Sequence, residues 1–265
     1  MTDTFYYTLT FASSSIIIVL AAMLIAIYIP KDDKLKNFRS SRKYLSFSYF
    51  ILGLSGFVSS LSGQEATDWP LLATCTLLVA SYQSLLFTYT ALALIQPLYI
   101  NRKSILLQLA GITALGGCLF LILFLFPGFW FYCAFYTALA LYILQLACYT
   151  RLFRVKYKTF LTSLEEHFGE DMNTRMRWVR RFFYTALGVG IFTVVSLFGN
   201  LYFYVFFTIL YTIYYVQVVC WFFNYQVVFG FGISFITQKT ASVQPDEEKT
   251  TSQEEASFPA EQYEK

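Results

Sequence analysis

The chain has 265 residues, of which 57% are apolar, 20% aromatic and only 13% charged, about half the charged share of an ordinary soluble domain. Too few polar groups remain to cover a water-facing surface, which excludes a water-soluble enzyme. The net charge of +3 says little by itself, because in a membrane protein the loops that hold the 19 Lys and Arg residues matter more than their sum.

Crossing about 30 Å of hydrocarbon at about 1.5 Å per residue takes about 20 apolar residues. The first such stretch covers approximately 8–29. It is preceded by Met1-Thr2-Asp3 with no basic n-region and exceeds the length of a signal-peptide core, so it reads as a span rather than a cleaved leader. Spans two and three are expected at 44–62 and 71–95, and spans four and five at 105–126 and 129–149, with a tight turn at Pro127-Gly128. The apolar stretch from Phe182 to Phe223 is too long for one helix and turns at Gly199-Asn200, giving 182–198 and 201–223. The expectation is an all-α, polytopic membrane protein with seven transmembrane helices over residues 1–229 and a tail over 230–265.

Seven spans put the two termini on opposite sides, and the basic residues choose the inner one. All 19 cations fall on one side: the segment 30–43, Arg102 and Lys103, the loop 150–181, and the tail. The opposite side receives Asp3, Glu65 and Asp68 and no cation. One span more or fewer would break this partition. It predicts an outside N-terminus and a cytoplasmic C-terminus in the cytoplasmic (inner) membrane. Trp69 and Trp130 fall at predicted outer ends and Trp178 and Trp221 at inner ends, where the amphipathic indole favours the headgroups. Cys75, Cys118, Cys133, Cys148 and Cys220 lie inside spans without Cys-x-x-Cys spacing and read as packing residues.

Two segments outside the bilayer have a character of their own. The loop Thr150 to Arg181 is amphipathic, with Leu161, Leu164, Phe168, Met172, Met176 and Val179 at helical spacing and Gly169 as an interruption. It reads either as a cytoplasmic docking helix or as an interfacial helix on anionic lipid with Arg175, Arg177, Arg180 and Arg181 near phosphates. The interfacial reading is favoured, since basic amphipathic segments beside spans follow from topology alone. His167, beside Glu165 and Glu166, reads as a solvated residue rather than a pH switch. The tail from Lys239 to Lys265 holds seven acids and three lysines among Thr, Ser, Gln and Pro, a composition expected to be disordered.

No predicted span contains Asp, Glu, Lys, Arg or His. A retinal Schiff base needs a buried lysine, ion pumps use intramembrane carboxylates, and intramembrane metalloproteases need His and carboxylate ligands. No phosphate-cradling glycine loop or nucleophile elbow is present either. The expectation is a non-enzyme with no cofactor, catalytic residue or metal site. What the spans do offer is mild polarity on single helix faces. Ser81, Ser84 and Thr88 share one face of span three, and Tyr204, Thr208, Tyr211 and Tyr215 one face of span seven, with Gln217 close by. These eight residues are the candidate pocket for a small amphipathic or lipid ligand. The competing reading, favoured for any single residue, is interhelical hydrogen bonding that holds the bundle together.

Three short stretches then stand out together: Asn37-Phe-Arg-Ser-Ser-Arg-Lys-Tyr44, Ser84-Leu-Leu-Phe-Thr-Tyr-Thr90 and Arg175-Met-Arg-Trp-Val-Arg-Arg181. With Phe222-Phe-Asn-Tyr225 and the acidic stretch closing on Ser257-Phe-Pro-Ala260, the chain resembles the seven-helix membrane half of AraC-type transcriptional regulators of Bacteroides-like bacteria. The resemblance implies a cytoplasmic linker and a helix-turn-helix DNA-binding domain after the membrane half. Residues 230–265 have neither the length nor the periodicity for one, so nucleic-acid binding is not expected of this chain itself. The expected function is a membrane-embedded sensor or anchoring module of a signalling system without its output domain. Its expected partners are the lipid bilayer, the pocket ligand and a cytoplasmic signalling partner at the tail or the 150–181 loop. The alternative is a small-solute transporter or facilitator, although no matching pair of Gly- or Pro-broken spans marks an internal repeat.

Overall fold

A computed structural model of the chain describes residues 2–29, 35–61, 69–95, 101–126, 128–168, 171–199 and 201–243; of these, 2–4, 102, 163–168, 171–176, 201 and 225–243 are described by backbone alone. The described elements are all helical: α1 (Thr2–Ala26), α2 (Lys36–Leu61), α3 (Trp69–Ile95), α4 (Arg102–Leu125), α5 (Phe129–Phe168), α6 (Asp171–Ser196) and α7 (Leu201–Val243). Each contains a stretch long and apolar enough to cross a membrane. Large apolar side chains face outward, among them Leu107, Phe124 and Tyr202 at 75%, 73% and 72% exposure. An apolar outer surface of this extent suits hydrocarbon and not water. The chain divides into two compact units, Met1–Val219 and Cys220–Lys265; the first holds the bundle, and the second holds the C-terminal part of α7.

Both tight turns fall where the sequence places them. Gly128 takes φ 103°, a left-handed conformation that costs glycine little, and α5 follows at once. α6 ends at Ser196, and Leu197, Phe198 and Gly199 turn the chain toward α7. Pro127 and Asn200 lie outside the described residues.

Neighbouring helices alternate in direction, as side-chain contacts show. Ser46 donates to the Ala21 carbonyl and the Phe11 and Phe57 rings meet 5.1 Å apart, so α1 and α2 run antiparallel. Ser41 donates to Thr90 O (3.1 Å), and Gln108 Nε2 donates to the Tyr89 hydroxyl (3.1 Å), continuing the alternation through α3 and α4. Phe153 stacks on Phe183 at 3.9 Å, setting α5 against α6. Trp69 Nε1 donates to Leu197 O (2.9 Å), which brings the start of α3 to the end of α6. One end of the bundle therefore gathers Lys36, Arg39, Arg42, Lys43, Lys103, Arg151, Arg154, Arg177, Arg180 and Arg181, while no cation is described at the other.

α3 is the central helix and packs on α2, α4, α5 and α6. Its most apolar window is 56% buried, against 17% for the peripheral α4. Small residues explain this: Ala73, Thr74, Ala80, Ser81, Ala91 and Ala93 are all buried and let four helices approach one axis. Gln83 on α3 joins α2 with two hydrogen bonds, accepting from the Ser48 hydroxyl and donating to Ser48 O at 2.8 Å. Gln83→Leu is expected to lower stability by about 1 kcal/mol, the scale of interhelical hydrogen bonds in lipid, measured as a shifted midpoint in SDS titration.

Two expected boundaries change. Residues 150–168 are no loop: they continue α5, whose 40 residues extend about 60 Å, twice the hydrocarbon thickness. Phe153 and Val179 are buried, and the side chains of Leu164, Phe168, Met172 and Met176 lie outside the described residues. The break near Gly169 does separate the two helices. Likewise α7 continues to Val243, so residues 230–243 of the expected tail are helical; residues 244–265 lie outside the described residues.

Candidate functional site

A cavity of about 180 Å³ lies between α1, α2, α3, α5, α6 and α7. Its wall combines hydroxyl groups with aromatic and aliphatic surface and contains no Asp, Glu, Lys, Arg or His: Tyr6 and Thr10 from α1, Ser55 and Ser59 from α2, Gln83, Ser84 and Thr88 from α3, Tyr142 and Tyr149 from α5, Thr193 and Ser196 from α6, and Tyr204, Thr208, Tyr211, Tyr214 and Tyr215 from α7. At about 30 Å³ per water it would hold about six waters, and its volume is close to that of a cavity able to hold one aromatic ring.

Most polar groups around it are satisfied. Ser13 Oγ donates to the Tyr211 hydroxyl (3.3 Å) and pairs with Thr212 Oγ1 (2.5 Å), tying α1 to α7. The Tyr49 hydroxyl donates to Tyr215 O (2.7 Å) with the two rings edge to face at 5.0 Å, tying α2 to α7. Gln145 Nε2 donates to Ser84 Oγ (2.9 Å) and to Ser81 O (3.1 Å). Tyr142 OH donates to Gly190 O at 3.2 Å.

Three are not. The hydroxyl oxygens of Thr10, Tyr204 and Tyr214 are buried and close no hydrogen bond, and all three residues line this cavity. Thr10 has Tyr6 as a neighbour and Tyr214 has Thr185, in neither case at bonding geometry. A buried hydroxyl without a partner costs about 1–3 kcal/mol. Three around one space mark a place where a guest with hydrogen-bonding atoms would be stabilised.

Six of the eight candidate pocket residues line the cavity: Ser84, Thr88, Tyr204, Thr208, Tyr211 and Tyr215. Ser81 does not. Its hydroxyl donates to Leu77 O (2.9 Å), and it faces a neighbouring cavity between α3, α4 and α5. Gln217 is exposed and stands apart, because two residues beyond Tyr215 is the wrong step on a helix to keep to one face. Sequence reasoning missed Tyr6, Thr10, Tyr142 and Tyr214. The spacing of Tyr6, Thr10 and Ser14 by four would have marked the α1 face, whereas nothing in the sequence shows which helices meet. Arg177, Arg180 and Arg181 are set at the cation-rich end on α6, with Arg177 and both others exposed; the Arg175 side chain lies outside the described residues, as does that of His167. No known family, curated protein or solved structure matches this chain.

Proposed function

We propose that the chain is a membrane-embedded sensor or anchoring module whose cavity binds a small, neutral, amphipathic molecule. The N-terminus would lie outside and the C-terminal part of α7 in the cytoplasm of the inner membrane. The observation that carries this reading is that three buried hydroxyls without hydrogen bonds, those of Thr10, Tyr204 and Tyr214, stand on the wall of one uncharged cavity. A neutral guest follows from the wall, which offers phenol and alcohol donors but no counter-ion. The output would run through α7. Its Tyr204, Thr208 and Tyr211 border the cavity, and Tyr211 and Tyr215 carry its ties to α1 and α2. A guest that draws on these hydroxyls would change how α7 seats against both helices. The resemblance to the membrane half of AraC-type regulators supports a regulatory output and the cation distribution supports the orientation.

Monooleoylglycerol, a neutral single-chain amphiphile, serves as the probe. Titrated into the full chain in nanodiscs, it is expected to raise the unfolding temperature with the logarithmic concentration dependence of a ligand that binds only the folded state. An unchanged unfolding temperature up to saturation overturns the reading. Orientation is checked separately in intact cells with a membrane-impermeant maleimide, which should label Thr2→Cys and leave Ser242→Cys unlabelled; the reverse pattern refutes it.

A further inference from the structure

Two more cavities lie beside the central one, and their walls overlap in sequence. The nearer, about 230 Å³ between α3, α4 and α5, has Tyr142 and Tyr149 in common with the central cavity. The farther, about 660 Å³, is a groove between α4 and α5 that shares Leu115, Leu119, Ala138 and Leu141 with the nearer one. Polarity rises inward along the series. The groove has only Thr137, the Trp130 indole and two cysteines, Cys118 and Cys133, among apolar side chains, and the Thr137 hydroxyl is occupied by its own helix at Cys133 O (2.8 Å). The middle chamber adds Gln108, Gln145 and Ser81. The central cavity holds the partnerless hydroxyls. Gln145 stands at the inner boundary, its amide bridging Ser81 of the middle chamber and Ser84 of the central cavity.

From this gradient we infer a lateral access route: a neutral amphiphile with a single acyl chain enters from the membrane between α4 and α5, head first. Its head comes to rest in the central cavity, whose wall carries the unbonded hydroxyls of Thr10, Tyr204 and Tyr214, and its chain trails back into the α4–α5 groove. The inference rests on the proposed binding role of the central cavity and adds the class of ligand and its path. The groove opens on the least buried helix of the bundle, within segments apolar enough to sit in hydrocarbon, so an acyl chain there leaves no polar group unsatisfied. A charged lipid does not fit the scheme, because the inner chambers offer no counter-ion. Gln145 is the gating group, since the head must displace or replace its bonds to Ser81 and Ser84.

Two sites allow the route to be blocked without disturbing the packing. A Cβ at Gly111, on the wall of the middle chamber, meets nothing within 4 Å. Thr137, on the groove, is exposed. The experiment uses the full chain in nanodiscs and two photoreactive monooleoylglycerols, one with a diazirine on the head and one with a diazirine at the chain end. Labelled peptides are read by mass spectrometry over time. The chain-end probe is expected to label the groove segments of α4 and α5, and the head probe α1 and the first half of α7. Gly111→Phe and Thr137→Trp should each slow head labelling about tenfold, while a helical circular-dichroism spectrum and an SDS-unfolding midpoint matching the wild type show that both variants fold. Head labelling at the wild-type rate in both variants overturns the route but leaves the binding role standing. Absence of saturable head labelling in the central cavity overturns both.

Discussion

Gly53→Leu is expected to be the most damaging single substitution in the bundle, lowering stability by about 3 kcal/mol, the upper end for overpacking a tight interface. A Cβ at Gly53 would stand 2.6 Å from Ile18 Cγ1 and 3.2 Å from two backbone atoms, Ile18 N and Ser14 O. Backbone cannot rotate away as a side-chain tip can, so α1 would have to withdraw from α2 along their shared face. That separation would also loosen the Ser46 bond to Ala21 O and draw Ser13 from Tyr211 and Thr212. Gly111→Leu is the matched control, because the same chemical change meets open space, and only the propensity gain of replacing a helical glycine should register. The SDS-unfolding midpoint of each variant measures the difference. Equal midpoints would show that the α1–α2 contact is more yielding than its geometry requires.

The second large effect is on binding. Removing the three partnerless hydroxyls together, as Thr10→Val, Tyr204→Phe and Tyr214→Phe, should weaken binding of monooleoylglycerol about a hundredfold, at roughly 1 kcal/mol for each lost hydrogen bond. Stability of the ligand-free protein should be unchanged or slightly higher, because an unsatisfied buried polar group is replaced by an apolar one. Tyr49→Phe provides the contrast: its hydroxyl has a partner in Tyr215 O at 2.7 Å, so its loss should cost about 1 kcal/mol without the ligand. Calorimetric titration and SDS unfolding of the same preparations separate the two quantities. A triple variant that is strongly destabilised but binds normally would assign these hydroxyls to the scaffold instead.

Legibility in the sequence followed the range of the physics. Span number and the turns at Gly128 and Gly199 rest on local composition, which a bilayer constrains strongly, and both were readable. The face shared by Tyr204, Thr208, Tyr211 and Tyr215 was readable for the same reason, since helical geometry alone puts residues four and seven apart together. The ends of the long helices were not. Polar residues after 149 and after 223 mark the edge of the hydrocarbon, but a helix needs no apolar run to continue beyond it, and α5 and α7 do continue. The partners of the polar faces were equally hidden. Ser81 and Ser84 are three residues apart on one face, yet Gln145 reaches between them and assigns them to different cavities.

By itself the sequence determined the membrane as solvent, the seven spans and the sided distribution of charge, because each depends on transfer of residues into lipid and not on which helix touches which. Only the tertiary structure decided that α3 is central, that α1 and α2 meet at Gly53, and that hydroxyls from Thr10, Tyr204 and Tyr214 border one uncharged space without partners. Those facts depend on side-chain size at contacts distant in the chain, where a missing Cβ or an unanswered hydroxyl has meaning only once the neighbouring helix is in place.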